Sequence, residues 1–567
     1  MGRARRPSLR SALLVGLSLL LLGLTLYANT FQVGFYFDGA FVIYENSAIR
    51  NLGNLKAIWE VFNTRFITGL TFAFNYALGR LDPFGYHLFN ILCHIASAFL
   101  VSVLVGLTFE TSSMRTSSLQ RHRLQIAFFS SLLFLVHPIQ IQAVTYLAQR
   151  STSLATFFYL ASVVLYVRSR LTPHLAYYLG ALLTTLLGMF TKEISFTIPF
   201  ALLLYEFIFL RPHHGEIRRR LLLASPFLLM LAVIPLTLTQ ATSHTHQSAY
   251  EPARDVASYF TYPITQLNVI RTYLRLLFLP IHQNLDYDYP ISQTLFEPST
   301  VFSLVLLSRI AWVSFETLGR QKLLFFCIGW FFLTLSVESS FIPLRDLLVE
   351  QRLYLPIVGF SIFVPTGLFL LCRDAKKAVA VLTVLTLILS VATYRRNAIW
   401  KDELTLWQDV VKKSPNKARG YSHVGLAYIR RGEYGQAIEY FRKAVFLVPD
   451  FAGFYDRLGA AYGMAGEHDK ALFYCRKALR LDPGYPEAYA NLGAAYGRKG
   501  AYAKALKCYR KALRLNPDHL WACEALAAIY ALTGNREGLR REAGRLRALH
   551  REDLAGGLER LGVSKRP

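Results

Sequence analysis

An acid stands where few acids stand. Asp38 lies in Phe35-Tyr36-Phe37-Asp38-Gly39, just past the first apolar run, Leu13 to Ala28. A carboxylate at such a boundary keeps contact with water while sitting beside lipid, which suits chemistry on a lipid-linked substrate. Taken alone, Asp38 reads equally well as an ordinary interfacial loop acid.

Four further polar clusters interrupt apolar sequence, and the stretch from Asp38 through Glu45, Asn46 and Arg50 to Arg65 is the first of five. The second is His137-Pro138-Ile139-Gln140-Ile141-Gln142, followed by Arg150. The third is Thr191-Lys192-Glu193. The fourth joins Arg271-Thr272-Tyr273-Leu274-Arg275 to Leu285-Asp286-Tyr287-Asp288-Tyr289-Pro290. The fifth is Glu350-Gln351-Arg352-Leu353-Tyr354-Leu355-Pro356. Ionisable groups against a bilayer are costly and face a cavity or a partner. The plainer reading makes Lys192–Glu193 and Glu350–Arg352 neutralising pairs that fix helix packing. Asp286-x-Asp288 has the oxygen ligands a divalent cation wants, although a tight turn explains it better and a metal is not expected. His87, Asn90 and His94 share a helical face, where packing outweighs metal binding.

The elements that position these groups are read from composition. The chain has 567 residues, 53% of them hydrophobic, and a mean hydropathy of +0.31. This is too apolar for a soluble protein of such length and indicates a polytopic membrane protein. Apolar segments of spanning character lie near 12–30, 87–108, 125–137, 151–167, 175–190, 194–210, 221–239, 299–314, 323–337, 353–372 and 378–394, about eleven spans. Basic clusters such as Arg115/Arg121/Arg123, Arg168/Arg170, Arg218–Arg220 and Arg373/Lys376/Lys377 fall in alternate loops, and the positive-inside rule puts those in the cytoplasm. Arg3-Ala4-Arg5-Arg6 before the first run then reads as the cytoplasmic end of a retained signal-anchor. The five polar clusters and everything after Arg395 share the other side. The expected architecture is all-α: a polytopic helical domain over 1–394, then a repeat α-solenoid over 395–567.

The repeats are plain. Gly425, Gly459 and Gly493 are 34 residues apart, as are Tyr428, Tyr462, Tyr496 and Tyr530, while Pro449, Pro483 and Pro517 close each unit. This is the tetratricopeptide pattern of paired helices. It gives three full repeats, a leading half-repeat near Asp402–Pro415 and a degenerate cap after His519. Such arrays bind peptides or proteins. The net charge is +26 overall, and after residue 394 there are 32 Lys/Arg against 18 Asp/Glu, a net +14. That favours an acidic partner or an anionic surface, with nothing pointing to nucleic acid. The six cysteines show no zinc or disulfide spacing. Phe441, Cys475 and Tyr509 hold one equivalent core position.

In this order the motifs resemble the TMTC-type transmembrane-and-tetratricopeptide proteins of the GT-C glycosyltransferase superfamily. The matching stretches are Phe35–Arg50, Asp82–Asn90, His137–Arg150, Thr191–Glu193, Leu285–Pro290, Glu350–Pro356 and Trp400–Trp407, so the resemblance covers nearly the whole chain. It implies an inverting enzyme that takes mannose or a similar hexose from a polyprenyl-phosphate donor to a protein hydroxyl, without a cofactor. Asp38 would be the general base. Arg271, Arg352, Arg150 and Lys192, in that order, would bind the lipid phosphate. Arg65, His137, Gln142, Glu193, Asp286, Asp288, Glu350 and Tyr354 would line the cavity. No Asn-x-Ser/Thr sequon occurs, so a bacterial inner-membrane protein with periplasmic repeats is favoured over one of the endoplasmic reticulum. The chain departs from the family's pattern at Gly39, where a second acid usually stands, and at Gln142 and Gln351. An inactive membrane-anchored scaffold and an oligosaccharide ligase or polymerase are the alternatives.

Overall fold

The computed structural model describes residues 9–210, 216–239, 257–340, 342–372 and 374–548. Arg3, Arg5, Arg6 and Arg373 of the basic clusters lie outside the described residues. The described residues are helical and contain no strand. They form two compact units. One gathers the described residues up to 402 except 286–288; the other holds 286–288 with 403–548.

In the first unit every apolar run becomes helix. Pro83–Glu110, Arg150–Leu171, Pro298–Thr317 and Ala375–Asn397 are examples. Local sequence sets their starts. Asp82 caps the first, its side chain accepting from the Phe84 N–H with Pro83 at the opening position, and Asp374 caps the last through the Lys376 N–H. Among the described residues, four helices are long and apolar enough to cross a membrane, or five if the bent pair Ser118–Val136 and Pro138–Val144 counts as one span. The remaining apolar helices are shorter, such as Leu175–Met189 and Lys322–Leu335. The apolar windows of Pro298–Thr317 and Ala375–Lys401 are only 22% and 28% buried, leaving a broad apolar surface for lipid.

Parts of the stretches between these runs are also helical. Leu55–Phe62, Phe66–Gly79 and Thr261–Phe278 escape a hydropathy reading because they carry Lys56, Glu60, Asn75, Gln266, Asn268 and Arg271. Asn75, Gln266 and Asn268 are buried, so their polarity points inward to partners.

The second unit stacks helix pairs. Ala418–Arg430 with Tyr434–Leu447, Ala452–Met464 with His468–Leu481, and Pro486–Arg498 with Tyr502–Leu515 are the three expected repeats, preceded by Glu403–Lys413. The expected cap is a complete fourth pair, Leu520–Leu532 and Arg536–Ala548. It lacks the closing Pro and small-residue pattern, hence its concealment. The close approach behind the 34-residue glycines is explicit. A Cβ on Gly425 would stand 2.6 Å from the Phe441 ring, one on Gly459 2.7 Å from Cys475 Sγ, and one on Gly493 3.1 Å from the Tyr509 ring. Each first helix ends on a left-handed glycine, Gly432, Gly466, Gly500 or Gly534, with φ of 71–86°.

Candidate functional site

Asp38 follows a strained residue. Phe37 adopts φ +52°, rare for an aromatic side chain, and such strain gathers at functional positions. Tyr146 holds it there. The Asp38 N–H donates to the Tyr146 hydroxyl at 3.0 Å, and the Phe37 and Tyr146 rings stack 6.2 Å apart. A narrow cleft opens beside Gly39, lined by Val33, Tyr36, Tyr146 and Trp400. Asp38 itself is half-buried.

Arg65 ends a tight turn after Leu55–Phe62, one that also passes through a left-handed residue, Asn63 at φ +43°. Thr64 and Arg65 together grip Glu193: the Thr64 hydroxyl donates to Oε1 at 3.0 Å and the Arg65 guanidinium reaches Oε2 at 3.4 Å. Burial pushes the Glu193 carboxyl up, but Arg65 and its neighbours prevail and hold it down to about 2. Arg65 is raised, first by Glu193 and more weakly by Glu338 and Asp38. Asp38 therefore lies within electrostatic reach of this group. The Arg65 side chain is 47% exposed.

Lys192 points elsewhere. Its ammonium meets Glu338 at 2.9 Å and the Thr152 hydroxyl at 3.0 Å, and its side chain is 6% exposed. The expected Lys192–Glu193 pair is thus corrected: each residue pairs across the fold, Lys192 with Glu338 and Glu193 with Arg65. Glu338 escaped the sequence reading, although an acid directly past the apolar run 323–337 was the very signal that singled out Asp38. Arg352 is buried and donates to the carbonyls of Asp346 and Leu347 at 2.7 and 3.0 Å. Burial lowers its guanidinium, yet Tyr273, Glu338 and Tyr262 leave it above its usual value. Asp38, Arg65, Lys192, Glu193, Glu338 and Arg352 thus form one electrostatic group drawn from four regions of chain.

The other candidates fall into separate places. Glu350, expected to neutralise Arg352, instead accepts from the Asn284 N–H at 2.6 Å and the Gln283 amide at 3.0 Å. Gln142 donates to the Asn284 carbonyl at 2.7 Å, and His137 bridges the Ile139 N–H and the Leu277 carbonyl. These three fix the segment around 280. Tyr354 pairs with His94 at 2.8 Å deep among helices. Arg150 is fully buried, hydrogen-bonded to Asn90, Asn75, Thr71 and the Tyr86 carbonyl at 2.6–3.3 Å and packed over Phe72 and Phe89. It is a pin between helices, with neutral oxygens where a phosphate ligand would need open space. Arg271 donates to the Ser299 carbonyl at 2.8 Å and lies over Phe302, a helix-to-helix contact. Asp286 belongs to the repeat unit, where Arg419 grips both its oxygens at 2.5–2.6 Å and Lys417 adds a contact at 2.9 Å. Its cation is a guanidinium. Asp288 is exposed, its N–H donating to Ser414. Among the described residues no three His, Cys, Asp or Glu side chains are grouped to hold a metal.

Models of the tetratricopeptide repeat match residues 418–451, 457–485 and 486–519. Across 75% of the chain, the sequence is 27% identical to the protein O-mannosyl-transferase Tmtc3 of Drosophila melanogaster, covering 54% of that protein. It is 25% identical to TMTC3 of Homo sapiens, over 75% of this chain and 50% of that one. The homologues of this chain are TMTC protein O-mannosyl-transferases. A Caenorhabditis elegans protein O-mannosyl-transferase, F38B6.6, is 28% identical over 68% of this chain and 54% of its own length. The chain spans about half the length of these TMTC relatives. The repeats are also similar to a crystal structure of MamA, 25% identical over 31% of this chain and 94% of that chain, with a TM-score of 0.22.

Proposed function

We propose that this protein is an integral-membrane glycosyltransferase that moves mannose or a similar hexose from a polyprenyl phosphate to a protein hydroxyl. Asp38 takes the proton from the acceptor hydroxyl as that oxygen attacks the anomeric carbon. The bond from that carbon to the phosphate oxygen breaks, configuration inverts, and the lipid phosphate leaves with its electrons. Arg65 stabilises that developing charge, because its guanidinium still faces solvent while Glu193 fixes its orientation. Arg352 adds positive field within the same electrostatic group, whereas the charge of Lys192 is met by Glu338. The reaction takes place on the non-cytoplasmic side of a bacterial inner membrane, where the repeats recruit the acceptor.

The observation that carries this reading is the grouping of a half-buried acid with a solvent-facing guanidinium, supported by similarity to named protein O-mannosyl-transferases. The test mixes purified protein with polyprenyl-phosphate mannose and a Ser/Thr-bearing acceptor protein and reads intact mass. Addition of one hexose supports the reading; an unmodified acceptor with every polyprenyl-phosphate monosaccharide tried contradicts it.

A further inference from the structure

The second helix of each repeat carries a feature that the glycosyltransferase reading does not use. Arg442-Lys443, Arg476-Lys477 and Arg510-Lys511 recur every 34 residues. They fall on the helices Tyr434–Leu447, His468–Leu481 and Tyr502–Leu515. Arg442, Arg476 and Arg510 are all exposed. One turn further along the same face stand Arg480 and Arg514, also exposed. The last of these helices bears Lys504 and Lys507 besides and has no carboxylate.

Two of the three guanidinium groups are held in place by contacts to tyrosines. Arg476 donates to the Tyr496 hydroxyl at 2.6 Å, and Arg510 donates to the Tyr530 hydroxyl at 2.9 and 3.2 Å. These are the same tyrosines that mark the repeat period. Large aromatic side chains stand among the cations: Phe446 is 84% and Phe473 is 56% exposed. Phe446 lies four residues from Arg442 and Phe473 three from Arg476, so each shares its helix face with the basic pair.

We infer that this stripe is a docking surface for an anionic lipid bilayer. A face on which basic residues outnumber its acids Glu439 and Asp469 and are interleaved with exposed phenylalanines has the chemistry of interfacial helices, in which charge meets headgroups and rings enter the boundary. An acidic protein partner would satisfy the cations but gives no role to Phe446 and Phe473. The chain also carries helices able to cross a membrane, so a bilayer is always present at high effective concentration.

The test uses the full chain in nanodiscs of neutral phosphatidylcholine, mixed with vesicles of phosphatidylcholine alone or with phosphatidylglycerol, and reads co-flotation. Flotation with the phosphatidylglycerol vesicles should exceed that with neutral vesicles by about 10-fold or more and fall away at high salt. Charge reversal by R476E, K477E, R510E and K511E together should abolish it. The conservative pair R476K and R510K, which keeps charge but not the guanidinium fork, should retain it, because a lipid surface reads charge. Equal flotation with both vesicle types would overturn the inference. So would loss of binding in the Lys variant comparable to the Glu variant, or stripe-dependent binding of poly-glutamate without vesicle binding.

Discussion

Arg65 and Lys192 carry the same charge and are placed for different work. The guanidinium is half in solvent with one carboxylate beside it; the ammonium is enclosed by Glu338 and Thr152. Arg65→Gln should therefore lower sugar transfer by about 100-fold and cost about 1–2 kcal/mol of stability, because it leaves the partly buried Glu193 carboxylate without its guanidinium. Lys192→Met should cost roughly 3–5 kcal/mol because it strands Glu338, and Lys192→Met with Glu338→Leu should recover part of that; thermal unfolding in detergent measures both. Sequence alone singles out Asp38, Arg65 and Lys192 here but not their partners. Asp38 and Lys192 stand out as charges at the edge of apolar runs. The partner of Lys192 lies far along the chain, and residue spacing carries no information about it. Arg271 and Arg150 show the same gap: their charge is visible in sequence, whereas their use against Ser299, Asn75 and Asn90 depends on side-chain direction.

Among elements, the repeats were legible because their period repeats the same contact. Gly459 shows what the period encodes. Gly459→Ala forces a Cβ against Cys475 Sγ at 2.7 Å and its backbone N at 3.1 Å, and should lower repeat stability by about 1–3 kcal/mol; Cys475→Ala alongside it should restore part of the loss. The polar helices Leu55–Phe62 and Thr261–Phe278 were not legible: the first is short and carries the exposed charges Lys56 and Glu60, and in the second the buried amides Gln266 and Asn268 look like loop residues until their partners are placed. A pH effect also belongs to this scale. Asp456 is buried on Ala452–Met464 and accepts from the Asn491 amide at 2.8 Å. Burial, with Glu487 adding to it, raises its carboxyl from 3.8 to about 7. The folded state then binds more protons than the unfolded chain between these values, so stability falls as pH rises from about 4 to about 7, by up to roughly 4 kcal/mol from this group. Asp456→Asn keeps the acceptor oxygen and should flatten that segment of the profile in thermal unfolding of the full chain.

At the scale of the molecule, the proposed function gives sugar transfer to the first unit and acceptor recruitment to the repeats. A chain ending at residue 402 should keep transfer to a short Ser/Thr peptide and lose most transfer to a folded acceptor protein; equal loss on both would place the repeats' contribution in catalysis. The central claim rests on Asp38, and intact-mass measurement of sugar transfer by Asp38→Asn tests it most directly. The substitution preserves size and leaves the Tyr146 bond to the backbone N–H in place, while removing the base. The account predicts transfer at least about 100-fold below the unaltered protein with donor binding retained. Transfer at the unaltered rate would contradict it.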